Sequence, residues 1–186
     1  CTEQLVSKAI SLLCQPKFRN LTDAEQTAME TAVKRFITNL YGRQQPSGGF
    51  SYWEGDRQVS EWLTSYVGHF FILAKEHGYE LQSAVFDKWL SYQRKAAQNW
   101  REEGKPSNRY TLVQSDLVQA YRLYTLALAG RAEIGTMNRL KGSGHLSLQA
   151  RWRLAAAYAV SGKQQVATNL VGNLSRQVEA YSSCNN

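Results

Sequence analysis

Apolar positions recur every three or four residues along almost the whole chain, and that period predicts a protein built of helices. In TDAEQTAMETAVKRFITNL, residues Met29, Ala32, Val33, Phe36, Ile37 and Leu40 form one stripe. Thr22 followed by Glu25 makes a capping box for its start. EWLTSYVGHFFILAKEHGY repeats the pattern with Leu63, Tyr66, Val67, Phe70, Phe71 and Ala74, and Gly78 is placed to end it. SAVFDKWLSYQRKAAQNW follows with Val85, Trp89, Tyr92, Ala96 and Trp100. SDLVQAYRLYTLALAG, LSLQARWRLAAAYAVSG and KQQVATNLVGNLSRQ predict three more helices, each bounded by Gly or Ser, and AEIGTMNRLK a short helix or turn. No stretch alternates with period two for long enough to predict a strand. Short links such as AGRAE and VSGKQ pair the helices into hairpins, and Ala155, Ala156, Ala157 and Ala159 permit close helix approach. The expected fold is all-α, an α-solenoid or an α/α toroid with alternating inner and outer helices; no strict repeat length supports the solenoid.

Two stretches interrupt the helices and predict loops. GRQQPSGGFSYWEGDRQVS holds adjacent glycines and three aromatics, Phe50, Tyr52 and Trp53. REEGKPSNRYTLVQ is the second, and polar. Exposed aromatics are unfavourable in water, so those of the first loop either seal one end of the helices or are covered by a partner.

Length and charge narrow the classes. A chain of 186 residues fits a single domain, here taken as 1–186, with a substantial core. No run approaches the roughly 18 apolar residues of a membrane span. The start has neither the charged nor the apolar region of a signal peptide, and a chain that opens inside a helical pattern reads as a fragment of something longer. The net charge of +7 invites a nucleic-acid partner. The basic residues are scattered over polar helix faces, however, and only Arg131 to Lys141 is a mildly basic region, so no nucleic-acid function is predicted. Cys1, Cys14 and Cys184 have no metal-ligand spacing and no histidine cluster to join, which predicts no metal and no cofactor. Cys14 reads as a small buried hydrophobe and Cys184 as part of a tail near a cut end.

The opening CTEQ carries the candidate chemistry. Residues i and i+3 of a helix share a face, so the Cys1 sulfur can approach the Gln4 side-chain carbonyl. Thiolate attack there, with loss of ammonia, makes an intrachain thioester. A helix N-terminus assists, because its unpaired N–H groups and positive dipole end favour a thiolate and a developing oxyanion. Glu3 can serve as an acid–base group, although it points to a neighbouring face. A lysine amine attacking the acyl carbon would leave an amide on Gln4 and free Cys1.

CxEQ alone is a weak motif; its company is specific. CTEQLVSKA, RQQPSGGFSYWEG and SEWLTSYVGHFFILA together resemble the thioester domain of the alpha-2-macroglobulin and complement family. DLVQAYRLYTLALAG, MNRLK and LSLQARWRLAAAYAVSG resemble its bacterial branch, so that the likeness runs from Cys1 to about Lys163. The resemblance implies an α/α toroid set among macroglobulin-like β-sandwich domains of the same chain, with Cys1 and Gln4 as the thioester pair. It implies a single-use protease inhibitor rather than an enzyme, in which bait cleavage exposes the thioester and a protease lysine is captured. It also implies a periplasmic protein, anchored to the inner membrane by a lipid outside this sequence, with an extracellular setting as the alternative. Phe50, Tyr52 and Trp53 become candidates for shielding the bond.

Two departures qualify the likeness. Members that acylate hydroxyls carry a histidine roughly a hundred residues after the cysteine, whereas GKPSNRYTLVQ has none, with Asn108 or Tyr110 nearest. His69 and His77 fall on one helix and His145 in a loop, and His69 reads as a packed or capping residue. Amines are therefore the expected acceptors. The toroid also needs more helices than the chain supplies, so SSCNN reads as a truncation point. Rival classes fare worse. Terpenoid cyclases and prenyltransferases need acidic or zinc-binding clusters, and an N-terminal nucleophile hydrolase needs β-sheets. A non-reactive helical scaffold contacting other proteins is the serious alternative.

Overall fold

The computed structural model describes residues 1–15, 20–102, 109–144 and 146–172, those from 109 to 114 as backbone. Eight helices occur among them: α1 (Thr2–Cys14), α2 (Asp23–Tyr41), α3 (Glu61–Glu76), α4 (Ser83–Asn99), α5 (Arg109–Leu128), α6 (Ile134–Lys141), α7 (Leu148–Val160) and α8 (Gln164–Val171). The only β-type pairing among the described residues is one isolated bridge between Gln44 and Phe50. The all-α expectation holds.

The punctuation of the helices follows local chemistry. The capping box at the start of α2 forms on both sides: Glu25 N–H donates to Thr22 Oγ1 (3.2 Å), and Thr22 N–H donates to Glu25 Oε2 (2.9 Å). Ser60 and Ser147 cap α3 and α7 by accepting from the N–H groups of Leu63 and Ala150. Beyond α3, Gly78 takes φ of +87°, the left-handed turn that the sequence placed there. One predicted loop needs correcting. RYTLVQ belongs to α5, because Val113, Leu117, Ala120 and Tyr124 continue the helical spacing upstream and no Gly or Pro lies between Pro106 and Gly130 to stop it. Cys14, expected to be buried, is half-buried at the end of α1.

The chain forms two compact units, Cys1–Tyr92 and Gln93–Asn186, with the boundary inside α4. In the first, α1 packs on α2 and α3. Its core gathers Val6, Val33, Leu40, Leu63, Phe70 and Phe71, all fully buried or nearly so. Trp89 of α4 closes this core, fully buried, with its indole N–H donating to the Thr64 carbonyl (2.8 Å). At about 25 cal/mol per Å², a ring that removes about 200 Å² from water contributes about 5 kcal/mol. Room for it exists because α3 carries Gly68 there: a Cβ at Gly68 would lie 1.9 Å from the ring.

In the second unit α7 packs on α5, α8 packs on α7, and α6 touches both α5 and α7. Ala120 and Ala127 on α5 and Ala150, Ala155 and Ala157 on α7 are buried; of the small-residue run Ala155, Ala156, Ala157 and Ala159, the second and fourth are half-buried. The core also holds polar groups in mutual contact. Arg122, 3% exposed, donates to Gln119 Oε1 (2.5 Å), and Gln119 donates to the Ala97 carbonyl (3.0 Å). Several basic residues have structural work. Arg139 reaches the carbonyls of Ala97 and Trp100 at the end of α4, and the Arg153 guanidinium lies 4.6 Å from the Tyr121 ring centroid.

The Gly68–Trp89 contact makes a sharp prediction. Alanine is the better helix former by about 1 kcal/mol. The overpacking term, about 1–3 kcal/mol, should win here because the ring is pinned by its bond to Thr64. Gly68→Ala should therefore lower the melting temperature by several degrees in a calorimetric scan; a rise would contradict this packing.

Candidate functional site

Cys1 is the N-cap residue of α1, and Gln4 is therefore the third residue inside the helix. That is the spacing of a capping box, in which each side chain reaches the other residue's backbone N–H across the helix start. Here cysteine stands where Ser or Thr would cap, and it makes no side-chain cap hydrogen bond. Cys1 is half-buried, whereas Glu3 and Gln4 are exposed. The helix begins weakly, with Leu5 N–H donating to the Cys1 carbonyl at 3.3 Å. Glu3 supplies negative charge in the first turn, favourable beside the positive end of the helix dipole.

The helix start is held from outside, by the loop between α2 and α3. Thr2 is fully buried. Its N–H donates to the Tyr52 carbonyl (3.0 Å), and its hydroxyl lies within bonding distance of the carbonyls of Ser51 (3.0 Å) and Tyr52 (2.8 Å). Arg43, one residue past the cap of α2, donates to Thr2 Oγ1 (2.6 Å) and to the Tyr52 carbonyl (3.2 Å). The first turn that must present Cys1 and Gln4 is thus tied to residues some fifty positions away in sequence.

The loop can serve as an anchor because it is itself internally bonded. Gly48 N–H donates to the Gln45 carbonyl, and Gln45 N–H to the Gly49 carbonyl, both at 2.8 Å. Phe50 N–H donates to Thr64 Oγ1 (2.9 Å), and Ser60 N–H to the Phe50 carbonyl (3.0 Å). The Ser51 hydroxyl donates to the Trp53 carbonyl (2.9 Å). Gly48 has φ of +101°, and a Cβ there would sit 2.2 Å from the Lys88 carbonyl oxygen. Only glycine fits this corner.

The residues expected to form the site are distributed unevenly. Phe50 is a core residue, fully buried and edge-on to Phe71 with ring centroids 5.8 Å apart. Tyr52 is half-buried, and Trp53 is 59% exposed. Of the three aromatics, Tyr52 and Trp53 are the ones at the surface. His77 ends α3 with Nδ1 2.8 Å from the Leu73 carbonyl, and His69 lies half-buried on the same helix. Asn108, His145 and Cys184 lie outside the described residues, and Tyr110 falls within α5. Among the described residues no three His, Cys, Asp or Glu side chains gather as a metal site would require. Reading the sequence missed Thr2 and Arg43. Thr2 offered a signal, a hydroxyl between the two candidate positions, but Arg43 is an ordinary post-helix cation until the chain folds back.

The glycine corner can be tested against a neutral comparison. Gly48→Ala should lower stability by about 2–3 kcal/mol in urea unfolding and speed alkylation of Cys1, since the anchor shifts. Gly55→Ala also meets a positive φ, +79°, but with nothing within 4 Å, and should cost about 1 kcal/mol and leave Cys1 unchanged. Equal effects at both glycines would contradict the anchoring role of this loop.

Comparison with known proteins bears on the family and the fold. Residues 1–169 match the family model described as the A-macroglobulin TED domain. An alpha-2-macroglobulin homolog of Yersinia pestis is 24% identical over 163 residues, which cover 86% of this chain and 8% of that protein. Salmonella alpha-2-macroglobulin reacted with methylamine superposes with a TM-score of 0.77 at 23% identity, covering 91% of this chain and 11% of that one. Trypsin-activated alpha-2-macroglobulin from Escherichia coli gives 0.74 at 21%, covering 92% and 12%. The chain therefore spans about a tenth of the length of these relatives, and it shares their all-α fold over that span. The chain belongs to the A-macroglobulin thioester-domain family, on its bacterial alpha-2-macroglobulin side.

Proposed function

We propose that Cys1 and Gln4 store an intrachain thioester, and that the protein containing this domain uses it to trap proteases through their lysines. The observation that carries the proposal is the capping-box placement of Cys1 and Gln4 on a helix start fastened by Thr2. In forming the bond, the Cys1 thiolate attacks the Gln4 side-chain carbonyl carbon and ammonia leaves, taking up the thiol's proton, a transfer we assign to Glu3. In use, a lysine Nζ attacks the same carbon. An amide to Gln4 forms, and the Cys1 sulfur departs and takes up a proton. Holding the two groups on one turn replaces a collision by a local step, the source of large effective molarities.

The related Salmonella protein has been solved after reaction with methylamine, an amine, and the related E. coli protein after activation by trypsin, a protease. Both treatments fit the amine acceptor and the target class proposed here. With Gln4 exposed, a stored thioester needs cover beyond this chain, which we assign to Tyr52, Trp53 and a neighbouring β-sandwich domain of the same protein. A periplasmic, membrane-anchored setting belongs to the same proposal for the whole protein.

Trypsin incubated with the full-length protein should appear in a conjugate that survives boiling in detergent and reductant. Cys1→Ser, prior methylamine treatment, or trypsin with its lysines dimethylated should each abolish it. Undiminished conjugation to dimethylated trypsin would overturn lysine capture. No conjugate under any condition would favour the scaffold alternative.

A further inference from the structure

The Thr2 side chain sits in an arrangement whose polarity is dictated by chemistry. A guanidinium can only donate, so Thr2 Oγ1 must accept from Arg43 at 2.6 Å. The single hydroxyl proton is then left for a carbonyl, that of Ser51 or Tyr52, 3.0 and 2.8 Å away. The backbone N–H of Thr2 adds a third tie, to Tyr52. A charge-assisted bond of this length is among the stronger ones available to a neutral hydroxyl. Arg43 also joins the other end of the loop, because its carbonyl accepts from Ser51 N–H (3.3 Å) and its N–H donates to the Leu40 carbonyl at the end of α2 (3.0 Å). One residue thereby fastens the end of α2, residues 51–52 and the first turn of α1.

We propose that Arg43, acting through the Thr2 hydroxyl, is a positioning residue that keeps the first turn of α1 wound so that Cys1 and Gln4 stay within reach of each other. The inference rests on the thioester reading above. Helix ends fray because their first N–H groups lack partners inside the helix. Fraying here unwinds the very turn that brings N-cap and third residue together. A frayed turn would separate thiol from carboxamide before closure and would open a closed thioester to water. The role differs from packing: the clamp contributes to the lifetime and formation of the bond at temperatures where the domain remains folded.

The test uses the full-length protein and Thr2→Val, Thr2→Ser and Arg43→Met variants, with two readouts. The first is amide hydrogen exchange of the peptide spanning the first turn of α1, measured after methylamine treatment so that no thioester contributes. The second is the rate at which untreated protein exposes the Cys1 thiol in buffer. Thr2→Val and Arg43→Met should each raise both rates about tenfold, the loss expected for a charge-assisted hydrogen bond. Thr2→Ser, which keeps the hydroxyl, should restore wild-type rates. Unchanged exchange in Thr2→Val would overturn the clamp; faster exchange with unchanged thiol release, or a drop in melting temperature as its only effect, would overturn the positioning role. A wild-type protein whose Cys1 thiol is free from the outset overturns the thioester reading instead. The exchange ratio between wild type and Thr2→Val then still upholds or overturns the clamp.

Discussion

A helix cannot satisfy its own first amides, and in this domain that weakness falls where the proposed thioester pair lies. The Thr2 bonds to the Tyr52 carbonyl are the response. Much of the first unit can be understood as what makes that carbonyl a fixed point. Gly48 turns a corner no other residue can take, and Phe50 is driven into the core against Phe71. Thr64 accepts the Phe50 N–H on its hydroxyl, while its carbonyl accepts the Trp89 indole N–H. The chain of support thus runs from a buried indole on α4, through α3 and the glycine corner, to the start of α1.

This arrangement separates two requirements that a stored electrophile imposes. Under the thioester proposal, proximity is a local matter, left to the first turn of α1 and the Thr2 bonds upon it. Protection is not, because Gln4 and Trp53 face outward in this domain. Under the thioester proposal this domain supplies the shared helical turn of Cys1 and Gln4, and cover is assigned to the rest of the protein. That division suits a trap: removing the cover releases a bond that was already formed, with no new geometry to build.

Much of this was legible in the sequence because its signals are local. The 3.6-residue period, the Thr22–Glu25 box and the Gly78 stop are read within a few residues, and each forms as expected. The six segments resembling the thioester-domain family pointed to the family that the comparisons show. What escaped was long-range or ambiguous at short range. RYTLVQ lacks a stop signal yet sits beside a polar loop, so its membership of α5 was masked by its neighbours. Phe50, Tyr52 and Trp53 looked alike as three aromatics in one loop, and only the backbone path sends the first inward and the third outward. Arg43 and Thr2 are separated by 41 positions, and no spacing rule links them.

The central claim is a covalent bond between Cys1 and Gln4, and intact mass with thiol labelling of the full-length protein tests it most directly. The account predicts a protein one ammonia lighter than its sequence, with Cys1 unlabelled until methylamine releases it. A protein of full mass whose Cys1 reacts with the label at once would contradict it.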